Sequence, residues 1–157
     1  MRIDDYLIAQ EGIDWSSVLA AWSWRLPPRF TLWMVNRFAE LVIVFEDGSV
    51  QMLHTDTAML ARLADSREHF CQVVDENDNG NDWLMIPLVD DLVAAGLTLG
   101  PGQCYCFKVP PALGGAYGVG NVAVISLCEH LSFLASFYEQ LEGIPDGNHV
   151  VLRTSDA

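Results

Sequence analysis

The stretch CYCFKVPPALGGAY, residues 104–117, begins as a strand and ends as a fixed turn. Side chains of different character alternate through residues 104–109, which predicts a strand with two distinct faces. The proline pair ends this strand, because proline has no amide hydrogen and restricts the residue before it. The glycine pair predicts a turn that residues with a Cβ adopt with difficulty. The side chains that we assign to this structural motif are Tyr105, Phe107, Lys108, Pro110, Pro111, Gly114, Gly115 and Tyr117.

A meander is predicted ahead of this strand. Residues 41–46 and 49–54 flank Asp47-Gly48, a strong hairpin signal, and residues 59–63 predict a third antiparallel strand. The apolar residues 30–36 are ambiguous between strand and helix. We therefore expect a mainly antiparallel sheet, with the meander at about 41–63 and a central strand at about 104–109.

Several helices complete the predicted fold. A capping box from Ser126 to Glu129 opens the longest helix, residues 126–142. Two helical pieces are predicted within residues 3–24, and they begin at Asp4 and Asp14. Two further helices are predicted over 66–76 and over 83–95, the second capped by Asp82. A last strand is predicted over 149–153, before a frayed end. The sequence thus predicts an α+β protein with a single domain, residues 1–157.

Composition narrows the class of function. The chain has 157 residues, is 51% apolar and contains five Trp, which fits one domain with a full core. Twenty-one acidic residues face eight basic ones, so the formal net charge is −13. Such a field disfavours nucleic acid and anionic membranes and favours basic protein partners, although acidity also serves plain solubility. Four Cys without a secretory pattern predict a cytoplasmic protein with reduced thiols.

The acidic stretch 75–82 partly fits a calcium loop. Asp75, Asn77 and Asn79, with Gly80 after them, match the early positions of an EF-hand. The twelfth position is Ile86, where a bidentate Glu is required. A solvated loop rich in turn-forming residues explains the stretch equally simply.

Thiols and imidazoles form no recognisable metal or nucleophile signature. Cys104 and Cys106 are one residue apart, whereas structural zinc sites use wider Cys pairs. Cys128, two residues before His130, begins an apolar helix and fits a small core residue. We therefore predict no catalytic residue, no metal site and no cofactor.

One face of the longest helix could bind another protein. Phe133 and Phe137 follow His130 at helical spacing, and Glu129 lies beside them. Apolar anchors within an acidic frame suit a basic protein partner. The alternative is a helix that is packed on two sides.

Several stretches of the chain carry a resemblance to a known family: FTLWMVNRF (30–38), EDGSV (46–50), NDWL (81–84), LGPGQCY (99–105), FKVPPALGG (107–115), Tyr117, Asn121 and HLSFLA (130–135). Together they resemble the bacterial family named after the C-terminal domain of type VI secretion immunity proteins that neutralise a DNase effector. Two positions depart from the family pattern, because Cys106 and Ala39 stand where the family has Gly.

The resemblance implies a non-enzymatic protein-binding domain. Its expected partner is a cognate, basic toxin nuclease, which it would neutralise by occlusion, with no role for nucleic acid or membrane. Neither the identity of the toxin nor the oligomeric state follows from the sequence. Two alternatives stay open: a small-ligand or enzyme domain with a pocket near residues 105–117 that uses Lys108, Tyr105 or Tyr117, and calcium binding at residues 75–82.

Overall fold

The computed structural model describes residues 2–142 of the chain. The predicted strand at 149–153 and the frayed end after it lie outside the described residues. Within residues 2–142 there are six strands and five α-helices. The strands are β1 (Phe30–Val35), β2 (Leu41–Phe45), β3 (Val50–His54), β4 (Met59–Ala64), β5 (Gln103–Phe107) and β6 (Val122–Ser126). The helices are α1 (Trp15–Ala20), α2 (Arg67–Val73), α3 (Asn79–Leu84), α4 (Ile86–Ala94) and α5 (Leu127–Leu141).

The main sheet is an antiparallel meander in the order β1-β2-β3-β4. The predicted α+β class and the three predicted meander strands are therefore confirmed, and the ambiguous residues before them form β1. At the β2–β3 turn, the Phe45 N–H donates to the Ser49 carbonyl, and Gly48 has a φ of 88°. The Asp47 carboxylate accepts hydrogen bonds from the Ser49 N–H and hydroxyl. The hairpin thus closes through a three-residue loop whose last position suits glycine.

The predicted strand near residues 104–109 forms as β5, but it belongs to a second, two-stranded sheet. It pairs antiparallel with β6, with Gln103 opposite Ser126. The Tyr105 N–H donates to the Arg37 carbonyl at 2.8 Å, which ties this sheet to the segment between β1 and β2. The strand is therefore attached to the meander without being one of its strands.

Three predicted helix starts are confirmed by their capping side chains. Asp14 accepts from the Ser17 N–H, Ser66 from the His69 N–H, and Ser126 from the Glu129 N–H; these residues cap α1, α2 and α5. Each cap satisfies a backbone donor that the first helical turn leaves free.

The predicted helix that begins at Asp4 is wrong. Residues Ile3–Tyr6 form only a short 3-10 turn, and Leu7 then pairs with Asn36 beside β1. The short apolar run gains more from that pairing and from burial of Tyr6 than from continuing a helix without partners.

The predicted loop over 75–82 and the predicted cap at Asp82 are also wrong. Helix α3 already begins at Asn79, so Asp82 lies inside it. Met85 has a φ of 52° and separates α3 from α4, and Pro87 occupies the first turn of α4, where its missing N–H costs nothing. The chain thus forms two short helices where the sequence predicts one.

Both faces of the central meander strands, β2 and β3, are covered. Leu41, Ile43 and Leu53 lie in one apolar cluster with Trp22 and with residues of α5. The alternate residues of the same strands pack under α2, in a cluster composed of Met34, Val42, Val50, Met52, Ala64 and Phe70. This alternation between two covered faces explains why the strands are nearly continuous in apolar residues.

Helix α2 is held against the sheet by an aromatic stack. The Phe70 ring lies 5.1 Å from Trp33 of β1 and 5.4 Å from Trp83 of α3, measured between ring centroids. Of the helices that residues 2–142 form, none has the length and hydrophobicity that spanning a bilayer requires. The assignment of residues 1–157 to one domain stays a prediction.

Candidate functional site

The loop between β5 and β6 is closed by one side chain, Asn121. Its Oδ1 accepts from the Val109 N–H at 2.9 Å, and its Nδ2 donates to the Val109 and Ala116 carbonyls at 2.8 and 2.9 Å. The Asn121 carbonyl also accepts from the Lys108 N–H at 2.7 Å. A single amide therefore joins both ends of the proline–glycine segment and fixes its shape.

Glycine is required at position 115 by close backbone contact. A Cβ placed there would lie 1.8 Å from the Val109 carbonyl oxygen, far inside any allowed separation. Gly114, one residue earlier, has a φ of 94° after the 3-10 turn Pro111–Leu113. The predicted role of the glycine pair in the turn thus has two separate causes, a left-handed conformation and a lack of space.

The aromatic residues of the structural motif pack beneath this loop. The Phe107 ring stacks on Phe38 at 5.0 Å and meets the edge of Tyr117 at 5.4 Å. Tyr105 is fully buried, and its hydroxyl donates to the Leu97 carbonyl. Burial raises the pKa of Tyr105, so this hydroxyl stays protonated and serves as a structural donor.

The outer side of the loop is apolar and exposed. Leu113 is 77% exposed and Tyr117 70%, and Val109 and Lys108 also face solvent. The three side chains proposed for a ligand pocket therefore do not converge, because Tyr105 is buried while Lys108 and Tyr117 lie on the surface. The loop presents a fixed hydrophobic surface, which we call the loop face and define as Val109, Leu113 and Tyr117.

The predicted binding face of α5 is partly assembled. Phe133 is 54% exposed, and its ring centroid lies 6.0 Å from that of the half-buried Phe137. Glu129 is exposed beside them, whereas His130 is half-buried. Burial lowers the pKa of His130, because charging the imidazole there would cost solvation. We call these four residues the α5 face.

A third constellation, absent from the sequence-based predictions, lies at the end of the β2–β3 hairpin. The His54 Nδ1 lies 2.5 Å from the Glu40 Oε2, and one ligand atom each of Glu40, His54 and Asp56 lies within 4.8 Å of the others. The side chain of Glu40 is 12% exposed and that of His54 35%, while Asp56 is exposed. The hydrogen bond to Glu40 raises the pKa of His54, and burial together with the Glu40 charge raises that of Asp56.

The buried side-chain amide of Asn36 orients the Glu40 carboxylate. The Asn36 Nδ2 donates to the Glu40 Oε1 at 2.9 Å and to the Trp83 carbonyl at 3.0 Å. The Asn36 Oδ1 accepts from the Phe38 and Glu40 N–H groups. Asn36 is fully buried, so this network fixes the orientation of the Glu40 carboxylate without any ligand.

The predicted calcium stretch does not keep the conformation that suggested it. Asp75 and Asn77 are exposed, but Asn79 begins α3 and its Nδ2 donates to the Val73 carbonyl at 2.8 Å. An EF-hand needs a continuous loop through these positions, so the pattern of alternating oxygen ligands is not formed here.

The thiols near β5 are buried to different degrees. Cys104 is fully buried, and burial raises its pKa to about 12, which leaves a protonated, unreactive thiol. The Cys106 thiol lies 3.2 Å from the Phe107 carbonyl, and Cys128 is half-buried.

Comparison with known proteins finds a family model that matches one segment of the chain. Residues 64–138 match the family model described as "T6SS immunity protein Tdi1, C-terminal", which confirms the resemblance seen in the sequence. This segment contains the loop face and the α5 face, and it excludes Glu40, His54 and Asp56. No curated protein gives a significant match.

One solved structure shows a distant likeness, the "Crystal structure of Atu4351 from Agrobacterium tumefaciens". The two chains share 15% sequence identity with a TM-score of 0.45, and the similarity covers 76% of this chain. The chain spans 62% of the length of that protein.

Proposed function

We propose that this chain, whose residues 64–138 match the C-terminal family of the type VI secretion immunity protein Tdi1, is an immunity protein that neutralises a toxin by binding over it. The family match is the observation that carries the proposal. The proposed mechanism is occlusion without bond-making chemistry: the chain covers the face that the toxin uses to reach its substrate.

The charge of the chain supports a basic partner. A net charge of −13 on 157 residues accelerates encounter with a positively charged surface and competes with the phosphates that a nuclease binds. Such steering weakens as salt screens it, over a Debye length of about 10 Å at 0.1 M. The rate of association with a nuclease toxin should therefore fall as ionic strength rises.

The α5 face supplies the apolar anchor of the proposed interface. Phe133 is large, more than half exposed and set beside the acidic Glu129. Interfaces draw most of their affinity from a few such anchors, while the surrounding charge sets rate and specificity. Phe137, which contacts Phe133, extends the anchor along the helix.

The loop face offers a second anchor within the same family segment. Leu113 and Tyr117 project from backbone that Asn121 and Gly115 already hold in one shape. A rigid loop loses little conformational entropy when a partner binds, so its apolar side chains contribute more of their burial to affinity.

The decisive test pairs the purified full chain with a candidate nuclease toxin from the same bacterium. We expect the two proteins to co-elute and DNA cleavage to fall to background as the chain approaches an equimolar amount. Undiminished cleavage with an excess of the chain would show that it does not neutralise that toxin.

Paired truncations then locate the interface. Phe133→Ala should weaken toxin binding by about 2 kcal/mol, as expected for an anchor residue. Val93→Ala removes an equally exposed apolar side chain from a different helix, α4, and should leave binding unchanged. Leu113→Ala tests the loop face in the same way. Equal losses in Phe133→Ala and Val93→Ala, or no loss in either Phe133→Ala or Leu113→Ala, would place the interface elsewhere.

A further inference from the structure

We propose that Glu40, His54 and Asp56 bind a divalent transition-metal ion of the Zn²⁺ class. The three side chains converge at one end of the hairpin, with a ligand atom of each within 4.8 Å of the others. They supply one imidazole nitrogen and two carboxylate oxygens, a donor set that proteins use for such ions.

The strand register brings the first two ligands together. Leu41 of β2 pairs with Leu53 of β3, so the next position outward sets Glu40 beside His54. Asp56 follows two residues later in the turn that leads to β4. Glu40 and His54 therefore lie at the end of a paired, buried framework, and Asp56 lies in the turn that follows it.

Hydrogen bonds next to each ligand fix its backbone. The hydroxyl of Thr55, which stands between His54 and Asp56, donates to the carbonyl of Ala39, the neighbour of Glu40, at 3.0 Å. The Tyr138 hydroxyl of α5 donates to the Asp56 carbonyl. The segment that carries Glu40 and the segment that carries His54 and Asp56 are thus joined by a hydrogen bond without an ion.

The side chain of Glu40 is also oriented from outside the site. Asn36 donates to its Oε1, which leaves the Oε2 directed at His54. Metal ligands in proteins are commonly held by such an outer hydrogen-bond partner. Binding would exchange the short Glu40–His54 contact for two metal bonds of about 2.0–2.2 Å, which requires the two atoms to separate by about 1 Å.

The charge of the three side chains favours a bound divalent ion over the Glu40–His54 ion pair alone. His54 can balance only one of the two carboxylates, so Glu40 and Asp56 leave an uncompensated negative charge when no cation is bound. A doubly charged ion balances both, with His54 neutral as a ligand. The imidazole favours Zn²⁺ over Mg²⁺ and Ca²⁺, which prefer oxygen ligands throughout. With Asp56 exposed, solvent can complete the coordination.

Titration of the metal-free, untagged full chain with Zn²⁺ tests the proposal. We expect one Zn²⁺ per chain by calorimetry, a higher melting temperature with Zn²⁺ than with chelator, and weaker responses to Mg²⁺ and Ca²⁺. The ring-nitrogen NMR signals of His54 should shift on binding while those of His69 do not. No Zn²⁺ binding by the wild-type chain, or tighter binding of Ca²⁺ than of Zn²⁺, would overturn the proposal.

Substitutions assign the ligands. Asp56→Asn changes an exposed side chain without changing its shape, and His54→Gln removes the imidazole; each should weaken Zn²⁺ binding at least about tenfold, because even loss of an outer hydrogen-bond partner costs a metal site that much. His69→Gln is the matched control, since His69 faces Asp65 at 3.9 Å on an exposed surface, and it should bind Zn²⁺ like the wild type. Wild-type affinity in both Asp56→Asn and His54→Gln would show that the ion binds elsewhere and would overturn the proposal.

Discussion

The loop of residues 108–121 and the turn of residues 54–58 are both fixed by hydrogen bonds, but they use their side chains in opposite ways. In the loop, the polar side chain of Asn121 holds the backbone, and apolar side chains are left facing solvent. In the turn, backbone and hydroxyl contacts hold the chain, and titratable side chains are left facing one another. The first arrangement suits contact with a protein surface, and the second suits an ion.

The largest expected effect comes from filling the space at Gly115. Gly115→Ala would place a methyl group on the Val109 carbonyl, so the loop must reopen and lose its closing hydrogen bonds. We expect a loss of about 3–5 kcal/mol in the free energy of unfolding, measured with urea. Gly118→Ala is the control: a Cβ there meets nothing within 4 Å, and its cost should stay below about 0.5 kcal/mol. Equal costs in the two variants would refute the close contact.

The next effect concerns the amide that closes the loop. Asn121→Ala removes three side-chain hydrogen bonds and should cost about 2–3 kcal/mol in urea unfolding. Asn121→Asp keeps the acceptor for the Val109 N–H but sets a carboxylate oxygen against the Val109 and Ala116 carbonyl oxygens, so it should cost at least as much as Asn121→Ala. A loss below about 0.5 kcal/mol in Asn121→Ala would mean that the loop holds its shape without this side chain.

The turn should respond more weakly, because its backbone is held by several separate contacts. Thr55→Val keeps the shape of a fully buried side chain but removes its hydrogen bond to Ala39, at a cost of about 1–2 kcal/mol. It should also weaken Zn²⁺ binding, because the hydrogen bond between the two ligand-bearing segments is lost. The exposed Thr57 hydroxyl makes two longer bonds of 3.4 Å, to the His54 carbonyl and from the Met59 N–H, and Thr57→Val should change neither property. Wild-type stability and wild-type Zn²⁺ affinity in Thr55→Val would show that this hydrogen bond supports neither the turn nor the metal site.

The smallest effect is a pH dependence on the α5 face. Burial lowers the pKa of His130, so the unfolded chain takes up the proton more readily than the folded chain. The contribution of His130 is therefore complete above its unfolded pKa, about 6.5, and is lost as pH falls below it towards the folded pKa. Urea unfolding at pH 7.5 and 5.5 should show a smaller acid destabilisation in His130→Gln than in the wild type. The opposite ranking would mean that His130 is stabilised by its charge.

Local signals in the sequence predicted much of the meander and of α5. The hairpin at Asp47-Gly48 and the cap at Ser126 act within a few residues, so their outcome depends little on the rest of the chain. The first predicted helix failed because Leu7 pairs with Asn36, which is distant in sequence. The break at Met85 was missed because a left-handed φ at a methionine has no sequence signature.

The candidate sites divide in the same way. The proline–glycine loop and the α5 face are contiguous in sequence, so their residues could be named before the structure was known. Glu40, His54 and Asp56 come together only through the exact pairing of β2 with β3, and a slip of one residue would turn them to opposite faces. The role of Asn121 was hidden for a related reason, since its partners lie up to twelve residues away.

The aromatic cluster around Phe70 limits how the chain can be truncated for experiments. Residues 64–138 hold Phe70 and Trp83, but Trp33 and most of the apolar residues beneath α2 come from earlier strands. A fragment with only these residues would lack those apolar side chains. It would also lack the Arg37 carbonyl, which accepts a hydrogen bond from the Tyr105 N–H of β5. Such a fragment should aggregate rather than fold, so excised versions are poor reagents for binding work.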